Sequence, residues 1–233
     1  MPKKTLAKVK SKKHPSRQNI KIAVDNCIFT IKDTALHILL IQMRKKPFTD
    51  MWALPGGLIK TTESLDAAAR RILKEETSVS DIYLEQLYTF SQIKRDPFGR
   101  VISIAYFALI PEPSVDLKTM SKYKDVRWWK SSDLPKLAYD HSEIAKYARE
   151  RLVGKIGYTN IVWSLMPRKF TLTELQETYE AILEKNLDKR NFRKKVLSLD
   201  LIKAMGEKTM RGAHRPAMLY RFRSREPRIV EIL

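Results

Sequence analysis

A single cysteine, Cys27, stands among 233 residues, so no internal disulfide can form and the thiol usage suits a reducing compartment. It lies in an apolar strand pattern, where a buried, inert thiol is the expectation. No apolar run approaches the ~20 residues of a bilayer-spanning helix. No Cys/His cluster has zinc spacing, and neither a Walker loop nor a G-x-G-x-x-G turn appears. Acid is the scarce charge: 26 Asp and Glu face 45 Lys and Arg, giving a net charge of +19 and a pI near 9.9. Such an imbalance calls for a polyanion, an acidic membrane surface or an anionic ligand. Residues 1–18 contain no acid at all against seven Lys or Arg, and they lack the apolar stretch of a secretory signal. This segment reads as a flexible basic arm, either a solvated tail or an arm that lies along phosphates.

What is present is organised around Leu54-Pro55-Gly56-Gly57 and the run to Val79. Two adjacent glycines lack a Cβ, which permits positive φ and close approach to a bound group. A helix of about four turns follows, with Thr62 or Ser64 as its cap and Glu63 and Asp66 as acids in its first turn. Leu65, Ala69, Ile72 and Leu73 recur at helical spacing and face a core. Arg71 and Glu75 stand four apart and pair along one face. Glu75 and Glu76 offer oxygen ligands of the kind hard cations take.

This stretch resembles the Nudix box, G-x5-E-x7-R-E-U-x-E-E-x-G-U, with U aliphatic. Gly57, Glu63, Arg71, Leu73, Glu75, Glu76 and Val79 occupy the family's positions. Ile72 stands where active members carry a glutamate, and Ser78 where they carry glycine. The resemblance implies that the missing glutamate would have helped bind metal and served as base. The general-base contribution is typically worth about 10²–10⁴-fold, so no catalytic residue is expected. Glu63, Glu75 and Glu76 remain as residual carboxylates, Glu75 and Glu76 forming at most a vestigial metal site. No cofactor is required on this reading; magnesium or manganese is the metal such a site would take. Restoring the acid by Ile72→Glu should return some hydrolysis. The rival is an active hydrolase of the ADP-ribose pyrophosphatase type with an accessory nucleic-acid-binding domain. In it Glu63, Glu75 and Glu76 hold metal and Glu85 acts as base.

Around the box the chain alternates as strands do: residues 20–31 and 36–44 about a turn at Lys32-Asp33-Thr34, then 51–54, 82–93, 101–110 and 126–129. Residues 142–153 follow as an amphipathic helix. Mixed strands with helices on both faces fit the Nudix α/β/α sandwich over residues 19–153. Arg44, Arg95 and Arg100, together with Gly56, Gly57 and Arg71, are the candidate effector-binding residues, since Arg forks suit pyrophosphate oxygens. His141 reads as a satisfied structural histidine.

Gly154 and Gly157 mark a boundary, and residues 154–233 turn helical. Thr171 or Thr173 caps a helix with the stripe Leu172, Leu175, Tyr179, Ile182 and Leu183, with capping-box spacing from Thr171 to Glu174. Asp188 caps a second helix that is basic outside, through Lys189, Arg190, Arg193, Lys194 and Lys195, and apolar inside. Two strands follow, 201–205 and 217–222, joined by a loop with Arg211, His214 and Arg215. This is a helix-turn-helix with a wing. From Gly154 onward there are 17 basic and 9 acidic residues, so the excess charge gathers outside the Nudix-like body. The fold class is therefore α+β, a Nudix sandwich followed by a winged helix-turn-helix domain.

That order of domains, with LDKRNFRKKV and HRPAMLYRF, resembles the Nudix-related transcriptional regulators of the NrtR type. The resemblance implies a cytoplasmic homodimer on a double-stranded DNA operator, with no membrane partner. It also implies a repressor of NAD or sugar metabolism whose pocket takes ADP-ribose or a related phosphorylated sugar. Arg190, Asn191 and Lys194 are the candidates for base edges; Lys189, Arg193, Lys195, Arg211, His214 and Arg215 complete the DNA-binding set.

Overall fold

A computed structural model describes residues 19–79, 82–111, 122–210 and 216–232. The arm 1–18 and the wing residues Arg211, His214 and Arg215 lie outside the described residues. β1 (Lys21–Lys32) and β2 (Ala35–Met43) form a hairpin whose turn residues Asp33 and Thr34 both have positive φ, 47° and 56°. That sense of turn matches the twist of the flanking strands. β3 (Trp52–Ala53) and β4 (Gly56–Leu58) come next, then α1 (Leu65–Thr77), β5 (Tyr83–Phe90), β6 (Val101–Leu109), β7 (Tyr123–Lys130) and α2 (His141–Tyr158). Among the described residues these strands make a seven-stranded mixed sheet in the order β3-β2-β1-β6-β5, with β4 on β1 and β7 on β2.

The pleat of β1 sorts the two layers. Val24 packs with Ala68, Ala69 and Ile72 of α1, while Cys27 and Phe29 pack with Ile144, Ala145 and Ala148 of α2. Cys27 is fully buried against α2, as its strand pattern implies. β1 pairs with β2 only over Phe29–Lys32, and with β4 over Ala23–Asp25. The two long strands therefore part towards the start of β1, and a cleft opens between them.

Helix α1 begins at Ser64, whose side chain accepts the Ala67 N–H, and ends at Ser78, which adopts the left-handed conformation with φ 58°. Glu63 precedes this cap instead of lying in the first turn. Helix α2 does not stop at residue 153. It runs through Gly154 and Gly157 to Tyr158, so the expected boundary falls inside a helix. Leu152 and Ile156 keep its apolar stripe buried, and the C-terminal segment returns to cap it, Val230 and Ile232 donating to the carbonyls of Tyr158 and Gly157. That burial and capping outweigh the roughly 1 kcal/mol per residue that glycine costs a helix.

Beyond a 3-10 turn (Ile161–Ser164) come α3 (Leu172–Leu183), α4 (Lys189–Ser198) and the hairpin of β8 (Ile202–Thr209) and β9 (Ala217–Phe222). Thr171 and Glu174 form the full capping box. Asp188 accepts the Asn191 N–H at the start of α4. Tyr179 meets Phe192 with ring centroids 5.2 Å apart, and Leu175, Ile182, Val196 and Ile202 complete the core of this unit.

Candidate functional site

The cleft between β1 and β2 holds a cavity of about 190 Å³ lined by Asp25, Leu54, Gly56, Gly57, Arg95, Tyr123, Tyr139 and His141 among others. A second cavity of about 440 Å³, lined by Pro47, Phe48, Lys94, Pro97 and Asp140, shares Arg95 and Tyr139 with it. Its floor is a charged knot. Arg95 donates from Nε and Nη2 to both oxygens of Asp140, at 2.8 and 2.7 Å, and from Nη2 to Asp25 at 3.2 Å. Ser103 donates to Asp25 at 2.5 Å. Burial works against the guanidinium charge, but Asp140 and Asp25 outweigh it and raise the Arg95 pKa.

His141 Nδ1 accepts the backbone N–H of Leu54 at 2.9 Å, so the ring proton sits on Nε2, 3.6 Å from Asp25. Burial lowers its pKa and keeps it neutral. The structural role expected of His141 is present, and the ring also forms part of the cavity wall. Beside it Tyr139 has φ 53°, an uncommon conformation for a bulky residue and one that gathers at ligand sites.

Gly56 and Gly57 do line the cavity, for a different reason from the one expected. Neither has positive φ; both lie in β4, paired with Asp25 and Val24. A Cβ on Gly56 would stand 2.1 Å from Asp25 Oδ1 and 2.9 Å from the Val24 carbonyl, so the glycine is needed for strand contact. The other expected effector residues are placed elsewhere. Arg44 donates to the Tyr123 carbonyl, and Arg100 to the carbonyls of Ser91 and Gln92, where it ties a hairpin. Arg71 belongs to the box. Of the expected arginines only Arg95 lines the cavity. Sequence reasoning missed Asp25, Tyr139 and Asp140; the available signal was a lone acid inside the apolar run of β1.

In the box, Arg71 makes two hydrogen bonds to Glu63, at 2.9 and 2.7 Å, and a third to Glu75 at 3.3 Å. With the Lys60 N–H they hold the Glu63 carboxyl down to about 2. This clamp fastens the loop before α1 onto the helix. Ile72 is 1% exposed and packs on Val24, Ile104 and Tyr106. Glu76 is 0% exposed, and burial pushes its pKa up. Lys122 reaches it from the start of β7, its Nζ 3.4 Å from Glu76 Oε1 and 3.4 Å from Glu75 Oε2. Glu85 is tied to Lys155, Arg151 and Tyr83.

The Nudix box implies a divalent metal, and the residues present do not fit one. Glu63 is held by Arg71, Ile72 supplies no oxygen, and an ammonium lies on Glu75 and Glu76. Among the described residues no group of three His, Cys, Asp or Glu could hold an ion.

The second surface is α4. Lys189, Arg190, Asn191 and Lys194 are exposed along it, while Phe192 and Val196 are buried beneath. Lys195 is half-buried. Arg193, also half-buried, donates to Thr173 Oγ1 at 2.9 Å and so braces α4 on α3. Glu180 accepts the Leu187 N–H at 2.8 Å and fixes the turn between the two helices. No described helix is long and apolar enough to cross a membrane.

The sequence matches the NUDIX domain family over residues 21–150 and the NrtR DNA-binding winged helix domain family over residues 162–222. It is 38% identical over 205 residues to the ADPR responsive transcriptional repressor NtrR of Acinetobacter baylyi, a match spanning 86% of this chain and 81% of that protein. The fold matches the crystal structure of Shewanella oneidensis NrtR complexed with a 27mer DNA at TM-score 0.78 and 35% identity, over 87% of this chain and 93% of that one. The NUDIX domain of Shewanella oneidensis NrtR complexed with ADP ribose matches at TM-score 0.53 and 35% identity, over 60% of this chain and 94% of that one. Nudix cleft, basic second helix and hairpin, in this order, are one inherited architecture: the chain belongs to the NrtR family of Nudix-related transcriptional regulators.

Proposed function

We propose that this protein is a DNA-binding transcriptional repressor whose Nudix-type cleft senses ADP-ribose or a related phosphorylated sugar and alters operator affinity. The observation that carries the reading is the physical link between the two sites, helix α2. It starts in the cleft, where Asp140 and His141 line the two cavities, and ends against the C-terminal unit. Its 18 residues make a rigid rod of roughly 27 Å. Near its middle Arg149 pairs at 2.6 Å with Glu184, the residue that ends α3. A sugar hydroxyl suits the Asp25 carboxylate, and phosphate oxygens compete with Asp140 for the Arg95 fork. Such competition loosens the start of α2 in the liganded state and so gives the ligand a different affinity for two conformations, as coupling requires.

A homodimer on an inverted repeat fits apolar side chains left exposed on the Nudix body, among them Ile20, Ile22, Leu58, Ile93 and Phe98. A second copy covering that end would set the spacing of two α4 helices on DNA. The compartment on this reading is the cytoplasm. No metal is required, and none enters the mechanism.

The test is a gel shift of the full chain on the upstream region of its own operon against random DNA, with and without ADP-ribose. Selective binding that ADP-ribose shifts is the expected result. Equal affinity for both DNAs, or release of AMP from ADP-ribose and manganese at an ordinary enzymatic rate, overturns the proposal.

A further inference from the structure

A carboxylate removed from water needs a counter-charge, and Glu76 is fully buried. The groups that face its oxygens are the Lys122 ammonium and the Tyr123 hydroxyl, neither in a hydrogen bond of full geometry. In a working Nudix box a divalent cation supplies the positive charge. Here the cation facing Glu76 is the Lys122 ammonium, equidistant at 3.4 Å from Glu76 Oε1 and Glu75 Oε2. The position is built. Lys122 adjoins the first residue of β7, and Tyr123 is held in register opposite Met43 of β2. The ammonium also lies over the Tyr123 ring, 4.7 Å from its centroid, and that ring is a wall of the cleft cavity.

We propose that Lys122 is a tethered cation standing in for the divalent metal of this Nudix-type box: it neutralises Glu75 and Glu76 and excludes a metal from them. A metal ion needs those oxygens at about 2.0–2.2 Å and cannot share them with a positive charge already seated between them. The single charge of an ammonium also cannot activate water as a divalent ion does. The lysine therefore does two things at once. It keeps α1 folded onto the sheet with an acid inside, and it keeps the box inert whatever the cellular level of magnesium or manganese.

The inference rests on the sensor reading only for the identity of the cleft ligand. Its test contains neither nucleotide nor DNA, so failure of one reading is separable from failure of the other. Full-length wild type, Lys122→Met and Lys122→Arg are melted under circular dichroism across a series of manganese chloride concentrations. Lys122 is 42% exposed at its side chain, so the methionine variant retains its core. Without metal, Lys122→Met should melt below wild type, since Glu76 has lost its counter-charge. Manganese should raise the variant's midpoint by roughly 5–10 °C at about 100 times its Kd. Wild type and Lys122→Arg should not move. A manganese shift of equal size in wild type and Lys122→Met overturns the proposal, and so does the absence of any shift in Lys122→Met.

Discussion

Arg95 is the residue whose removal tests the cleft most directly. Its side chain is 3% exposed, and the carboxylates it holds, Asp25 and Asp140, are 7% and 12% exposed. Arg95→Ala leaves both acids buried without a counter-charge. Removing one partner of a buried ion pair costs about 3–5 kcal/mol. Asp140 sits at the start of α2, where the helix dipole compensates part of its charge, so most of the penalty comes from Asp25. The expected loss is therefore about 3–5 kcal/mol, not twice that, against the ~5–15 kcal/mol that holds a protein of ordinary stability. Arg95→Lys keeps the charge but gives up the fork, so it should cost about 1–2 kcal/mol while abolishing most ADP-ribose affinity. Urea denaturation measures the first quantity, and calorimetric titration with ADP-ribose the second. Asp25→Asn in the Arg95→Ala background should recover at least about 1.5 kcal/mol, because the orphaned charge is then gone. An Arg95→Ala protein within about 1 kcal/mol of wild type, or one with no coupling to Asp25, would refute this account of the cleft floor.

Ser78 holds the left-handed position that ends α1, where the Nudix pattern has glycine; Ser78→Gly should stabilise the fold by about 1 kcal/mol in urea. Ile72→Glu, expected from the sequence to restore hydrolysis, instead puts an acid among Val24, Ile104 and Tyr106; it should cost about 2–5 kcal/mol in denaturation, with no AMP released from ADP-ribose. On α4, Lys189→Ala should flatten the slope of log K against log salt by about 0.9 for operator and random DNA alike. Arg190→Ala should instead cost about 1–3 kcal/mol of discrimination between the two DNAs in competition gel shifts. His141 has its pKa lowered from 6.5 by burial, so the unfolded chain binds its proton first as pH falls. Its contribution to stability is complete above pH 6.5 and declines below it, and His141→Asn should flatten that part of the pH–stability curve.

Local chemistry made much of the fold legible. The Asp33–Thr34 turn, the Thr171–Glu174 capping box, the Asp188 cap and the β9 strand each depend on a few neighbouring residues, and each forms where the sequence places it. The box was legible for the same reason, since Glu63, Arg71 and Glu75 meet within one loop and one helix. The cleft was not. Asp25, Arg95, Asp140 and His141 come from three distant segments, and nothing in their spacing says that the parting of β1 from β2 brings them together. Arg44 and Arg100 are both taken up by backbone carbonyls, Arg44 by Tyr123 across the sheet and Arg100 by Ser91 and Gln92 of its own hairpin, and only the second of these is local in sequence. Gly154 and Gly157 were misleading because their helix-breaking tendency is weaker than the burial of Leu152 and Ile156 around them.

The box residues divide according to what they touch. Gly57 lies in the strand that pairs with β1, and Glu63 and Arg71 bind the loop to α1, so these positions shape the cleft. Positions 72, 75 and 76 are where a hydrolase would hold its metals. Here one is apolar and packed in the core, and the other two face a lysine. On the proposed reading the cleft has given up metal chemistry and kept its shape, because separate contacts maintain the two. Hydrolysis would also be counterproductive in a sensor, since a ligand destroyed on binding cannot report its own concentration. On the proposed reading, α2, with Asp140 as its cap and His141 as its first residue, would carry a movement in the cleft towards α3, which needs only the ligand's presence.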